Sequence, residues 1–533
     1  MFKKIGTYRV ELIVVLVFVL AGWKYTSGLE NILDVRLADE SRYLSDGVSL
    51  PAVGLQRAEF SPLYAVWYFI LSRLQPDRIE LYYLNYKLLT ILLPILLYLV
   101  LRRYGVPVQA AMVVAFFFLI SYANLVWPRI SHFALLIILS FLLLEVFAKS
   151  LTDRLALGSV GALLSSYVRP ELFLAFAILM TLYLGLSLKR FLRERVINIP
   201  VTVAVVLISL SLIVSLGLPV SSGNRSLIAF GQHFSLNWVA WTGERELSPM
   251  TDWEEIVRKN FGTVQGVTQA AVSNPLTFAK HVGSNIVHTP ATFIKEFFLH
   301  AGLLHPVRSK RAEVIGLMVF LGIFFLLSWK RSKLTMKERI KSRKDSLLVP
   351  ACYMIPVLLS VIIIFPREHY LLMLGVLLII AVSILITEKG TERGPGIKRL
   401  ALISLIAVAA VPAPYSAASA TYRVNVETFR FIQSLHITDE VNLLEPEGGY
   451  ATFSGPNFHA VIPYTKETDF DSFRSETGIN MIILTERLKG DSRYKADKEW
   501  LSFLENCNSR GYVVMEIPGT NKSLIVERSL LHQ

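Results

Sequence analysis

Two adjacent carboxylic acids, Asp39 and Glu40, stand in an early segment that reads Leu-Ala-Asp-Glu-Ser-Arg-Tyr-Leu (37–44). A carboxylate held beside a hydroxyl or amine can take its proton as that group attacks carbon. This pair supplies the candidate catalytic residues. Arg42 and Tyr43 follow at once as candidate substrate contacts, as do Glu59 and Tyr64 in the segment Glu-Phe-Ser-Pro-Leu-Tyr (59–64). Three arginines lie next to proline: Trp127-Pro128-Arg129, Arg169-Pro170-Glu171, and Pro366-Arg367-Glu368-His369-Tyr370. Arginine forks bind phosphate oxygens bidentately, so Arg129, Arg169 and Arg367 are candidate phosphate ligands. Glu171, His369 and Tyr370 accompany them. Lys87 lies inside an apolar run, where a charge is costly and often functional. Singly, such a loop acid is solvated and such an arginine snorkels to headgroups; together they favour an anionic substrate at a membrane surface.

The elements that must position these residues are membrane spans. Of 533 residues, 53% are hydrophobic and 18% charged, against roughly 45–50% and 25% in soluble domains. Apolar runs near the ~20 residues a crossing helix needs are expected at 6–24, 81–101, 107–127, 130–148, 155–169, 171–188, 196–217, 312–328, 347–365, 369–387 and 399–415. The first run follows Lys3 and Lys4 with no small-x-small cleavage pattern, and is expected to be an uncleaved span. With the N-terminus inside, every basic cluster falls on one side, including Lys-Arg-Phe-Leu-Arg-Glu-Arg (189–195) and the run 330–344. These segments hold 23 basic and six acidic residues, as the positive-inside bias requires. The +13 net charge is thus a signal of topology, and nucleic acid is not an expected partner.

The expected fold is an α-helical polytopic membrane protein of about eleven spans. Residues 1–415 would form the membrane domain, with external loops 24–80 and 218–311, and 416–533 a small external α/β domain. In that tail, strand-length runs (Val441 to Leu444, Met481 to Leu484, Tyr512 to Ile517, Leu524 to Val526) alternate with helical patterns at Val426 to His436 and Ala496 to Asn506. The expected helix ends and loops place Asp39, Arg129, Arg169 and Arg367 on the external face, with a cytoplasmic N-terminus.

The early Asp-Glu-x-Arg-Tyr, the Pro-Leu-Tyr segment, Arg-Pro-Glu after a middle span and Pro-Arg near a late one resemble the GT-C class of membrane glycosyltransferases. The likeness is to the bacterial relatives of protein O-mannosyltransferases and of the lipid A aminoarabinose transferase. That class implies a polyprenyl-phosphate-linked sugar as donor and a protein, lipid or glycan as acceptor, with inversion at the anomeric carbon. Asp39 would act as general base and Glu40 would orient the acceptor or hold a second proton. The chain departs from the pattern in having one proline in Phe-Ser-Pro-Leu-Tyr and in Glu368 and His369 separating Arg367 from Tyr370.

Other chemistry finds little footing. There is no P-loop, no dinucleotide fingerprint and no Cys-x-x-Cys or His-Glu-x-x-His pattern. The histidines 233, 281, 288, 300 and 305 fit no metal template, so no cofactor is expected, although a divalent cation stays open. Trp238, Trp241 and Trp253 read as interfacial anchors. Asp469 and Asp471 read as solvated acids, and Cys352 and Cys507 as unpaired thiols. Competing readings are a transporter or flippase of lipid-linked glycans, a polysaccharide polymerase or ligase, and a non-catalytic assembly protein.

Overall fold

The computed structural model describes residues 2–56, 58–194, 199–219, 225–244, 246–299, 335–386, 423–445, 447–461 and 469–531. Six of the described helices are long and apolar enough to cross a bilayer: Arg9–Asn31, Arg78–Arg103, Ile130–Phe147, Pro170–Arg193, Lys337–Ile363 and Glu368–Ile386. The protein is a helical membrane protein. Each of the six overlaps an expected span, but the expected eleven is not reached. The run 107–127 breaks after Ile120, and Tyr122–Leu125 form a separate 3-10 turn, leaving a helix of only 13 residues (Val108–Ile120). The run 155–169 folds as a 16-residue helix, Leu151–Ser166, started early by a Ser150/Asp153 capping box. From 196–217 comes the shorter apolar helix Val201–Leu216. The expected spans at 312–328 and 399–415 lie outside the described residues.

Capping also explains why one span starts inside the basic segment. Thr335 and Glu338 form a reciprocal capping box, so Met336–Ile363 is helical from its Lys- and Arg-rich first turns onward. The helix Ile199–Leu216 exposes Val203, Val206, Leu207, Ile208, Leu210 and Val214, the aliphatic surface that contact with lipid tails requires.

The segment expected as the large external loop is mostly helical among the described residues. Arg225–Thr242, Trp253–Phe261, Val267–Ser273 and Pro275–Ile294 enclose a small core of Phe230, Phe234, Trp238, Ile256 and Phe261. Trp238 is buried in it, and a Cβ at Gly231 would lie 2.2 Å from the Trp253 ring. These two tryptophans are packing residues here, which the interfacial-anchor reading missed.

The C-terminal segment forms a five-stranded mixed sheet in which the strands, numbered along the chain, lie in the order second, first, third, fifth, fourth. The strands are β1 (Val441–Leu444), β2 (Phe458–Val461), β3 (Met481–Leu484), β4 (Tyr512–Glu516) and β5 (Ser523–Glu527). β1 pairs in parallel with β2 and β3, whereas β5 runs antiparallel to both β3 and β4. Phe470, Trp500 and Phe503 pack with Ile482 and Ile525 of the sheet. Four of the five strands are the runs expected from sequence; β2 is additional, its exposed His459 and Ala460 giving it no apolar signature.

The chain divides into two compact units. One comprises Met1–Thr26, Leu55–Tyr64 and Tyr86–Ala413. The other comprises Ser27–Gly54, Ala65–Asn85 and Pro414–Gln533. The acidic pair therefore belongs with the sheet. The expected division, which gave the whole of 24–80 to the membrane domain, differs on this point.

Candidate active site

In the unit that contains the sheet, Asp39 and Glu40 open the helix Asp39–Val48. Glu40, Ser41, Tyr43, Leu44 and Gly47 are buried, whereas Asp39 and Arg42 are exposed. Glu40, Tyr43, Leu44 and Gly47 form the i, i+3, i+4, i+7 stripe of one helix face. Gly47 lets that face approach the helix Pro62–Ser72 closely: a Cβ there would lie 2.4 Å from the Tyr68 Cβ and 2.8 Å from the Ala65 carbonyl. The approach brings Glu40 under Tyr68, whose hydroxyl donates to Glu40 Oε1 at 2.5 Å. Asn85 Nδ2 donates to the same oxygen at 3.2 Å and to the Tyr68 hydroxyl at 2.9 Å. Trp67 Nε1 in turn donates to Asn85 Oδ1 at 2.8 Å.

The pair is thus divided. Glu40 is spent on a buried network, and Asp39 faces outward from the first turn of a helix, where the backbone N–H groups favour a carboxylate. Ala38, just before it, has φ 72°, a left-handed conformation that a non-glycine residue holds only when its surroundings fix it, at a cost of about 1–3 kcal/mol.

In the membrane unit, His369 lies within range of the charges of Arg169 and Arg367, with the His233 and His132 rings nearby, and His132 in turn lies against Arg129. The three arginines are held very differently. Arg129 is fully buried; its guanidinium donates to the Asn124 carbonyl at 2.7 Å, to Thr90 Oγ1 at 3.0 Å and to the Tyr86 carbonyl at 3.3 Å. It also sits over the Tyr86 ring and against His132. Arg169 pairs with Glu171 at 2.6 Å and stacks on the Tyr370 ring at 4.5 Å. Ser61, fully buried with φ 62°, donates to the Val168 carbonyl at 2.8 Å and so fastens the Phe-Ser-Pro segment beside Arg169.

Arg367 is the exception. It is half-buried at the start of the helix Glu368–Ile386, and among the described residues its guanidinium has no hydrogen-bond or ion-pair partner. Its neighbour His233, from the helix Arg225–Thr242, is pushed down to about 4 by burial and then by the Arg367 charge, so that imidazole is neutral at pH 7 and adds no second positive charge. A half-buried cation beside a neutral donor or acceptor is a suitable seat for a phosphate oxygen.

The turn that presents Arg367 is anchored by residues that carried no sequence signal. His281 Nε2 lies 3.1 Å from both the Ile363 and Ile364 carbonyls. Asn285 Nδ2 donates to the Ile362 and Ile364 carbonyls at 3.0 and 3.3 Å, and Asn237 bridges the pair at 2.9 and 3.0 Å. Together they satisfy the last carbonyls of the helix Met336–Ile363, which would otherwise lack donors. Glu296, in the π-helical turn Lys295–Leu299, was also missed. It is buried beside Glu368 and is raised to about 8 by burial first and by Glu368 second. The Tyr122 hydroxyl donates to Glu368 Oε2 at 3.4 Å.

The remaining expected contacts take varied places. Tyr64 is fully buried and stacks on Phe133. Tyr43 is buried in the helix face described above. Lys87 is half-buried one residue from Tyr86, and Glu59 lies in the 3-10 turn Ala58–Phe60. Among the described residues no cluster of three or more His, Cys, Asp or Glu side chains could hold a metal ion. No protein-family model matches the sequence, and no curated protein matches it significantly.

Proposed function

We propose that the protein is a membrane glycosyltransferase of the GT-C type, which moves a sugar from a polyprenyl-phosphate donor to a protein, lipid or glycan acceptor. The observation that supports this reading is that two of the arginine-proline motifs, those of Arg169 and Arg367, come together at His369, with the Arg367 guanidinium left unpartnered among the described residues. An unpaired, half-buried cation in a membrane protein asks for an anionic ligand, and a lipid-linked phosphate supplies one. Arg129 and Arg169 are then the scaffold that holds the motif residues, and Arg367 is the donor ligand.

The chemistry follows from the divided acid pair. Asp39 takes the proton of the acceptor hydroxyl or amine as the acceptor attacks the anomeric carbon. The bond from that carbon to the phosphate oxygen breaks, and polyprenyl phosphate departs with the electron pair. Phosphate is already a stable anion, so its departure needs no strong general acid. Glu40, buried and hydrogen-bonded, keeps the helix in place. In this reading the protein lies in a bacterial inner membrane with its N-terminus cytoplasmic and its sheet domain periplasmic.

The test is transfer of radiolabelled sugar from polyprenyl phosphate in membranes holding the full chain. Asp39→Asn should abolish transfer with unchanged expression, and Arg367→Ala should raise the donor KM at least tenfold. Full transfer by Asp39→Asn would refute the assignment. Donor translocation without transfer by the wild type would replace it with a flippase.

A further inference from the structure

The acidic pair is fastened to the C-terminal part of the chain by a set of contacts within one unit. The Ala38 amide donates to the Gly448 carbonyl at 2.8 Å. The Ala38 carbonyl accepts from Ser41 Oγ at 2.6 Å, and the same hydroxyl lies 3.4 Å from the Gly448 carbonyl. Both peptide groups of the one strained residue before Asp39 are therefore gripped, one of them directly by the turn after β1. That turn cannot back away. Gly449 has φ 125° and packs so tightly that a Cβ would lie 2.4 Å from Ser41 Oγ. Its own shape is set by buried Glu445, whose carboxylate accepts from the Gly449 and Ala451 amides at 2.7 and 3.0 Å.

The flanking segments are fastened in the same manner. The Asp34 carboxylate accepts from the Asn425 and Val426 amides at 2.9 and 3.1 Å and so caps the helix Val424–Ser434 from outside its own sequence. Arg78 donates to the Thr452 and Gly455 carbonyls at 2.7 and 3.1 Å, and Arg423 donates to the Glu30 carbonyl at 2.6 Å. These are charged side chains on main-chain groups, contacts that fix direction more than they add apolar burial.

We infer that the C-terminal domain is a positioning element for Asp39, and that the Gly448-Gly449 turn, acting through Ala38 and Ser41, sets the direction in which the carboxylate points. A left-handed Ala38 turns the chain sharply into the first helical residue, and release of its amide would let it relax to an ordinary conformation and swing Asp39 away. The inference rests on the reading of Asp39 as the general base. Ser41, Gly448 and Gly449 are positioning residues that need not touch substrate.

The experiment uses the full chain in proteoliposomes with radiolabelled polyprenyl-phosphate sugar, comparing wild type with Asp39→Asn, Ser41→Ala and Gly449→Ala. Ser41→Ala and Gly449→Ala should lower kcat about tenfold while the donor KM stays within twofold, the loss in orientation that small displacements of a catalytic group produce. The temperature at which Cys507 becomes reactive to a thiol probe should be unchanged in Ser41→Ala. If Asp39→Asn is inactive and Ser41→Ala keeps kcat within twofold, the positioning role is wrong and the base assignment stands. A Ser41→Ala variant whose Cys507 unmasks early, with kcat lost in proportion, shows a merely structural contact and also overturns it. Full activity of Asp39→Asn removes the base and the inference together.

Discussion

Replacing Glu40 by alanine isolates what the buried half of the acidic pair does. The change removes the acceptor shared by the Tyr68 hydroxyl at 2.5 Å and the Asn85 amide at 3.2 Å. Each buried donor that loses its acceptor costs about 1–3 kcal/mol, so the expected loss is about 3 kcal/mol. For a unit of this size that corresponds to roughly 6–12 °C in melting temperature. Glutamine at the same position keeps an oxygen acceptor and loses only the charge, about 1 kcal/mol. The assay is thermal unmasking of Cys507, which is buried in the same unit and becomes the sole thiol in a Cys352→Ala background. Sugar transfer is measured in parallel at a temperature where the variants stay folded. Glu40→Gln should keep transfer within about threefold of wild type. A shift below about 2 °C for Glu40→Ala, or loss of transfer by a fully folded Glu40→Gln, would refute the division of labour between the two acids.

Two further outcomes follow from groups whose environment is unusual. Glu445 is raised to about 7, first by burial, against an ordinary value of 4.5. The folded state therefore binds its proton more tightly than the unfolded chain does, and this contribution to stability is full below about pH 4.5 and lost as pH rises through about 7. The span of the shift corresponds to roughly 3 kcal/mol. The Cys507 unmasking temperature should fall between pH 5 and 8 in the wild type and fall measurably less in Glu445→Gln; parallel curves would count against it. His281→Ala removes a donor from the Ile363 and Ile364 carbonyls and should cost about 1–2 kcal/mol. It is read as earlier unmasking of Cys352, which lies in the same capped helix, and it should raise the donor KM by loosening Arg367.

Hydropathy was enough to find the six long spans and four of the five strands, because continuous apolar runs and strand-length runs are local properties. It overcounted where a run was long enough on paper but broke, as at Ile120 and Ser121, or where the run itself was short, as at 155–169, whose helix Leu151–Ser166 has 16 residues. The division of the acidic pair was readable in principle. Glu40, Tyr43, Leu44 and Gly47 already mark a buried helical stripe with Asp39 off it, but polar Glu and Gly disguise the pattern from a hydrophobicity count. The arginines were legible as unusual and not as unequal. Whether a guanidinium is gripped by carbonyls, as Arg129 is by those of Tyr86 and Asn124, or left without a partner among the described residues, as Arg367 is, depends on atoms brought from other segments. His281 and Asn285 were invisible for the same reason, since their partners are carbonyls that any sequence would offer.

The unit that carries Asp39 is assembled from three stretches of chain, 27–54, 65–85 and 414–533, and this has a consequence for the order of synthesis. The ribosome releases the first two stretches long before the third. At about 5–20 residues per second, some tens of seconds separate Asn85 from the end of β5. Throughout that interval Gly448 does not yet exist to hold Ala38, and Asp34 has no helix to cap. The acid arrives first and its mount arrives last. Under the proposed mechanism, a nascent chain would hold Asp39 without the Gly448-Gly449 turn that orients it, so the sheet segment would have to be made before the carboxylate could act.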